Sequence, residues 1–104
     1  MLKQVKIGGI VYDIRRVADL RDEHDTKLDG WYQGDKCLIS INADVTPQSA
    51  FQTLWHEIVH GIIAHAGMRD QHDESLIEAI SHGVMQVLVD NPGIEQLPEW
   101  RFQA

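Results

Sequence analysis

The hydrophobic pattern of this chain changes at Thr46-Pro47, and that change constrains the fold more than any other feature. Before it, apolar residues occur in short runs rich in β-branched and aromatic side chains, which predict strands. After it, apolar residues recur every three or four positions, which predicts helices. Strands followed by helices favour an α+β fold, with a small antiparallel or mixed sheet of three or four strands packed on two helices. At 104 residues we expect one domain, spanning residues 1–104.

The first part of the chain predicts two hairpins with glycine-containing turns. The first joins residues 5–7 to 10–14 and the second joins residues 30–33 to 37–41. The polar segment 18–29 between them predicts a loop or a short helix. Tyr32 and Cys37 lie in predicted strands, where packing is the expected role of an aromatic ring and of a lone thiol.

Two helices are predicted in the second part. The first begins with Thr46 as its cap and Pro47 at its first position, and it stops at Gly67. The second begins at Asp73 and ends at the Asn-Pro-Gly sequence 91–93. The expected buried faces are Phe51, Leu54, Trp55, Ile58, Val59, Ile62 and Ile63 on the first helix, and Leu76, Ile77, Ile80, Val84, Val87 and Leu88 on the second. Ile94, Leu97, Trp100 and Phe102 are expected to cover part of the core.

Charge and composition exclude some classes of function. The net charge is −7, which argues against general nucleic-acid binding. No apolar run approaches the roughly 18 to 20 residues of a membrane span, so no membrane partner is expected. Cys37 is the single cysteine, so no internal disulfide forms and a cytoplasmic location is predicted. Five of the six histidines lie between His56 and His82, in an acidic half that suits a cation site or a solvated acidic surface.

The first predicted helix carries an HExxH motif, His56-Glu57-Ile58-Val59-His60. Histidines four residues apart lie about 40° apart around a helix, so both imidazoles can bind one Zn²⁺ at about 2.0–2.1 Å. Glu57 points about 100° away from His56, beside the metal, where it can take a proton from water. Since zinc lowers the pKa of water to about 7, a carboxylate can serve as the general base. The motif therefore predicts His56 and His60 as ligands and Glu57 as the catalytic residue.

A catalytic zinc site needs a third protein ligand, and the second helix offers candidates. Glu74, Glu78 and His82 share one face of that helix. Glu78 is predicted as the ligand, because its apolar neighbours make it the acid least suited to simple solvation. His82 is the alternative ligand, or a hydrogen-bonding partner of Glu78. His65 and His72 are expected to take no part in the site.

The motif and its surroundings resemble small phage and prophage zinc-peptidase-like proteins, which are similar to the metallopeptidase domain of the ImmA/IrrE family. The resemblance covers about residues 5–92 and is carried by residues 28–32, 39–42, 53–61, 78–81 and 84–88. It implies a minimal zincin-type fold, in which a small sheet packs on the active helix and a second helix brings a glutamate to the metal. It also implies His56, His60 and Glu78 as ligands and Glu57 as the base.

Two functions from different classes follow. The first is a zinc-dependent metallopeptidase, an enzyme that hydrolyses a peptide or protein substrate lying along an exposed edge strand, with residues 37–41 as the expected segment. The second is a zinc-stabilised, non-catalytic binding protein of phage or prophage origin, since a chain of 104 residues leaves little room for a substrate cleft.

Overall fold

The computed structural model describes residues 3–68 and 70–94. The described part contains strands β1 (Gln4–Ile7), β2 (Ile10–Val17), β3 (Gly30–Gln33) and β4 (Leu38–Asn42), followed by helices α1 (Pro47–His65) and α2 (Glu74–Asp90). The prediction of an α+β fold with a small sheet and two helices is confirmed.

The sheet is mixed, with the strand order β1-β2-β4-β3. The two predicted hairpins are present, since β1 pairs with β2 and β3 with β4 in antiparallel register. The two hairpins join through the parallel pair β2 and β4. Because β4 is paired on both sides, the expectation that a substrate lies along residues 37–41 is wrong, and the open edge of this half of the sheet is β3.

The core lies between the sheet and α1. Its buried cluster consists of Ile7, Tyr12, Ile39, Ile41 and Ile58. Asn42 is also buried, and its amide donates to the carbonyl of Leu28 over 3.1 Å, so the end of β4 holds the connection that precedes β3. That connection, residues 18–29, is a loop with one isolated bridge between Arg21 and Lys27, and it contains no helix.

Helix α1 begins as predicted. The hydroxyl oxygen of Thr46 accepts a hydrogen bond from the backbone N–H of Ser49 over 3.2 Å, and Pro47 occupies the first position. One side of α1 packs on the sheet and another on α2. The expected burial of Phe51 and Ile62 is wrong, since these side chains are 44% and 50% exposed on the strip that neither neighbour covers.

Helix α2 begins at Glu74, capped by the carboxylate of Asp73, which accepts from the N–H of Leu76 over 3.1 Å. It packs against α1 through Ile77 and Ser81, which are almost completely buried. The expected wide buried face is wrong for three residues, because α1 covers only a narrow strip of α2. They are Leu76, Ile80 and Val87, at 55%, 41% and 49% exposed.

Of the tail residues expected to cover the core, Ile94 is partly buried, and Leu97, Trp100 and Phe102 lie outside the described residues. In the described part of the chain, neither helix combines the length and the apolar character that crossing a membrane requires.

Candidate metal centre

The two motif histidines lie side by side on α1, with 5.0 Å between their ring centroids. Both are largely buried, at 18% and 14% side-chain exposure for His56 and His60. Their Nε2 atoms meet one carboxylate, because Glu74 Oε2 lies 3.0 Å from His56 Nε2 and Glu74 Oε1 lies 3.1 Å from His60 Nε2. One ligand atom from each of the three residues lies within 4.8 Å of the others, a group that can hold a metal ion.

Glu78, the predicted third ligand, lies one turn further along α2 and contacts a different nitrogen. Its Oε2 is 2.6 Å from Nδ1 of His56, on the side of the ring opposite Glu74. Its Oε1 is 3.4 Å from Nε2 of His82, which also contacts the side chain of Gln52. The structure thus brings Glu78 and His82 to the histidine cluster and places Glu74 between the two Nε2 atoms.

His72 and His65, expected to take no part in the site, both make contacts. Nδ1 of His72 lies 2.7 Å from Nδ1 of His60, and the two rings are stacked with centroids 4.8 Å apart. His65, at the end of α1, lies 2.7 Å from the hydroxyl oxygen of Tyr12. His72 lies in the connection between the helices, where no periodic pattern could indicate its neighbour.

Glu57 lies below the histidines, in the interface between α1 and β3. It is 8% exposed, and the backbone N–H of Tyr32 is among the groups that lower the pKa of its carboxyl. The strand approaches closely at Gly30, where a Cβ atom would lie 2.5 Å from Thr53 Cγ2 and 3.1 Å from Glu57 Oε2. Glycine at this position is therefore what lets the strand and the carboxylate meet.

Burial sets the protonation of the site. Loss of solvent raises the pKa of Glu57 to about 7; the charges of Glu74 and Glu78 add to the rise, while His56 and the Tyr32 N–H oppose it. Burial also lowers the pKa of His60, which favours its neutral form. Neutral imidazole is the form that binds metals, and a carboxylate with a pKa near 7 suits proton transfer at neutral pH.

An open cleft of about 1320 Å³ lies against this cluster. One wall consists of α1 residues, including His56, Glu57 and His60, together with Glu74 of α2. The cleft is also lined by residues of β3 and by the segments 21–23 and 34–36. The described part of the chain therefore has room for an extended ligand next to the candidate metal group.

Comparison of the chain with protein-family models, with curated proteins and with solved structures gave no match. The case for its function therefore depends on the chemistry and the geometry of the cluster.

Proposed function

We propose that this protein is a zinc-dependent metallopeptidase, which hydrolyses peptide bonds in a peptide or protein substrate. One observation carries the proposal. The Nε2 atoms of His56 and His60 converge on the carboxylate of Glu74, while a second carboxylate, Glu57, is buried beside them at the edge of an open cleft.

The donor set fits zinc. Two imidazole nitrogens and one carboxylate are the protein ligands of many catalytic zinc sites, which leave a fourth position for water or substrate. His56 and His60 supply the nitrogens. The carboxylate comes from α2, with Glu74 favoured by its contacts and Glu78 implied by the resemblance to ImmA/IrrE peptidases. A bound zinc ion would acidify a water molecule and polarise the scissile carbonyl.

The chain's own residues handle the proton and the substrate. Glu57 accepts the proton from the attacking water and passes it to the leaving amine. Strand β3 packs against this carboxylate at Gly30. The open edge of β3, on the wall of the cleft, offers main-chain groups to which an extended peptide can bind as an added strand. A cytoplasmic location, expected from the single cysteine, remains part of the proposal.

Zinc content and hydrolysis, measured together on purified protein, test the proposal. Glu57→Gln should bind about one zinc and lose at least roughly 100-fold in the hydrolysis of a peptide library, since the base is lost and the ligands are not. His56→Ala should lose both zinc and activity. His24→Ala, at a side chain 80% exposed, is the matched control and should keep both.

Two results would contradict the proposal. Hydrolysis by Glu57→Gln at the wild-type rate would exclude Glu57 as the general base. Stoichiometric zinc without hydrolysis of any peptide, together with a large fall in melting temperature on chelation, would favour the zinc-stabilised binding protein instead.

A further inference from the structure

A hydrogen-bonded chain of three side chains links the sheet to the end of α1. The hydroxyl oxygen of Tyr12, on β2, lies 3.0 Å from the hydroxyl oxygen of Tyr32 on β3 and 2.7 Å from Nε2 of His65. Tyr12 is 2% exposed, so its hydroxyl is shielded from water that would compete for these bonds. The rings also touch, with centroids 5.5 Å apart for the two tyrosines and 5.9 Å for Tyr12 and His65. Breaking these bonds would leave the buried hydroxyl of Tyr12 without them, so the network favours a fixed arrangement of the three side chains.

Glycines occupy the backbone positions that lie against this network of three side chains. A Cβ atom at Gly61 would lie 3.1 Å from Tyr32 Cε1, and one at Gly34 would lie 2.9 Å from the Tyr32 hydroxyl oxygen. At Gly8, whose φ is +58°, a Cβ atom would lie 2.6 Å from His65 Nδ1. The rings of Tyr32 and His65 therefore fit into spaces that a larger residue would fill, which leaves them little freedom to move.

The network of hydrogen bonds ends at Tyr32, on the strand that packs against Glu57. Tyr32 lies on the strand that passes the Glu57 carboxylate at Gly30, its backbone N–H lowers the pKa of that carboxyl, and its hydroxyl contacts Tyr12. Strand β3 has a neighbouring strand on one side only, so its distance from α1 is not fixed by the sheet alone. Tyr12, on β2, contacts both Tyr32 of β3 and His65, so it links the edge strand to the far end of the helix that carries Glu57.

We propose that Tyr12 and His65 are positioning residues for Glu57: through Tyr32 they hold the edge strand β3 against α1, where the strand packs on the Glu57 carboxylate. The importance of Glu57 in this inference rests on the proposed function. Neither Tyr12 nor His65 lines the cleft or belongs to the candidate metal group, and both act through Tyr32.

Amide hydrogen exchange on the full chain tests the contact without relying on activity. Tyr12→Phe keeps the ring and removes the hydroxyl that joins Tyr32 to His65. We expect the Tyr32 amide to exchange roughly tenfold faster or more, because the edge strand is no longer held against α1, while the amides of Ser40 and Ile41 in β4 stay unchanged. Unchanged exchange at Tyr32, or equal acceleration across β3 and β4, would overturn the inference.

Kinetics on the zinc-loaded protein give the second measurement. Tyr12→Phe should lower kcat by roughly tenfold to 100-fold, with KM and zinc content unchanged, since a small displacement of a reacting group has a cost of that size. His65→Leu should do the same, His65→Gln should restore most of the rate, and His24→Leu serves as the exposed control. If Tyr12→Phe fails to fold, His65→Leu replaces it, because His65 is exposed at the end of α1.

The two hypotheses fail separately. A wild-type protein that hydrolyses nothing overturns the proposed peptidase function, and exchange at the Tyr32 amide still decides whether the chain of contacts restrains β3. A wild-type kcat in a folded Tyr12→Phe protein, with Glu57→Gln inactive, overturns the positioning role and leaves the peptidase function intact.

Discussion

At the residue scale, all four ring nitrogens of the motif histidines have partners. The two Nε2 atoms share Glu74, Nδ1 of His56 meets Glu78, and Nδ1 of His60 meets His72. A histidine that binds a metal through one nitrogen is commonly oriented by a hydrogen bond at the other. The cluster therefore separates into an inner group that faces Glu74 and an outer pair, Glu78 and His72, that fixes the rings.

This separation predicts that two matched substitutions lower the zinc affinity by different amounts. Glu74→Gln should weaken zinc binding beyond the roughly 10- to 100-fold that follows from losing a partner of a ligand, while Glu78→Gln should stay within that range. Competition with a chromophoric chelator measures both affinities. The opposite order would identify Glu78 as the third ligand, in agreement with the expectation from the sequence.

At the scale of elements, the site depends on how two helices run past each other. Helices α1 and α2 pack so that equal steps of four residues face each other, pairing His60 with Glu74, His56 with Glu78, and Gln52 with His82. Glu74 begins α2, directly after the short connection from α1, so antiparallel packing alone brings it to the His60 end of the motif. That signal was present in the sequence and pointed to Glu74.

Local features were predictable, and pairings between distant elements were not. The caps Thr46 and Asp73 and the two hairpins follow from residues that are close in the chain. Other features join segments that are far apart in the chain. They are the pairing of β2 with β4, the approach of β3 to Glu57, and the contact of His72 with His60. Periodicity says which side of an element is apolar, but it does not say how much of that side a neighbour covers, as Ile80 and Val87 illustrate.

The narrow contact of α2 predicts where the metal acts on stability. Because Ile77 and Ser81 are its only described side chains that are almost fully buried, α2 should open more readily than the sheet. Zinc that joins Glu74 to α1 should suppress this opening, by about 100-fold at a free zinc concentration 100 times Kd. Amide exchange with zinc and with chelator measures the effect, which should be large at Ile77 and small at Ile39 in β4. Equal protection of both would show that the metal stabilises the fold as one unit.

At the scale of the whole molecule, the carboxylates differ in how much stability their ionisation costs. The chain carries a net charge of −7, and most carboxylates are exposed to solvent. Among the carboxylates of residues 3–68 and 70–94, Glu57 is the one that is buried, and burial opposes its ionisation. Its raised pKa means that the folded protein binds a proton more tightly than the unfolded chain, so stability from this group is present at low pH and is lost as pH rises toward about 7.

Replacing Glu57 isolates the contribution of this side chain to the pH dependence of the metal-free protein. Glu57→Gln and wild type should have similar free energies of unfolding at pH 4, and at pH 8 the variant should be more stable by on the order of 3 kcal/mol. Urea unfolding at the two pH values measures the difference. Zinc is the control, since a bound divalent cation favours the carboxylate and should shrink the gap at pH 8. A gap of equal size at both pH values would contradict the prediction.

The residue that caps α2 lies next to a candidate metal ligand, so the cap has a second effect. Asp73 closes the first turn of the helix through the N–H of Leu76, and the next residue in the chain is Glu74, whose carboxylate faces both histidines. Terminal turns of helices fray, and a capping side chain sets how often they do so. The fraction of time that Glu74 spends beside the histidines is thus governed by an interaction that touches neither of them. A helix cap usually contributes to thermal stability. Here it also affects how long a candidate metal ligand stays beside the histidines.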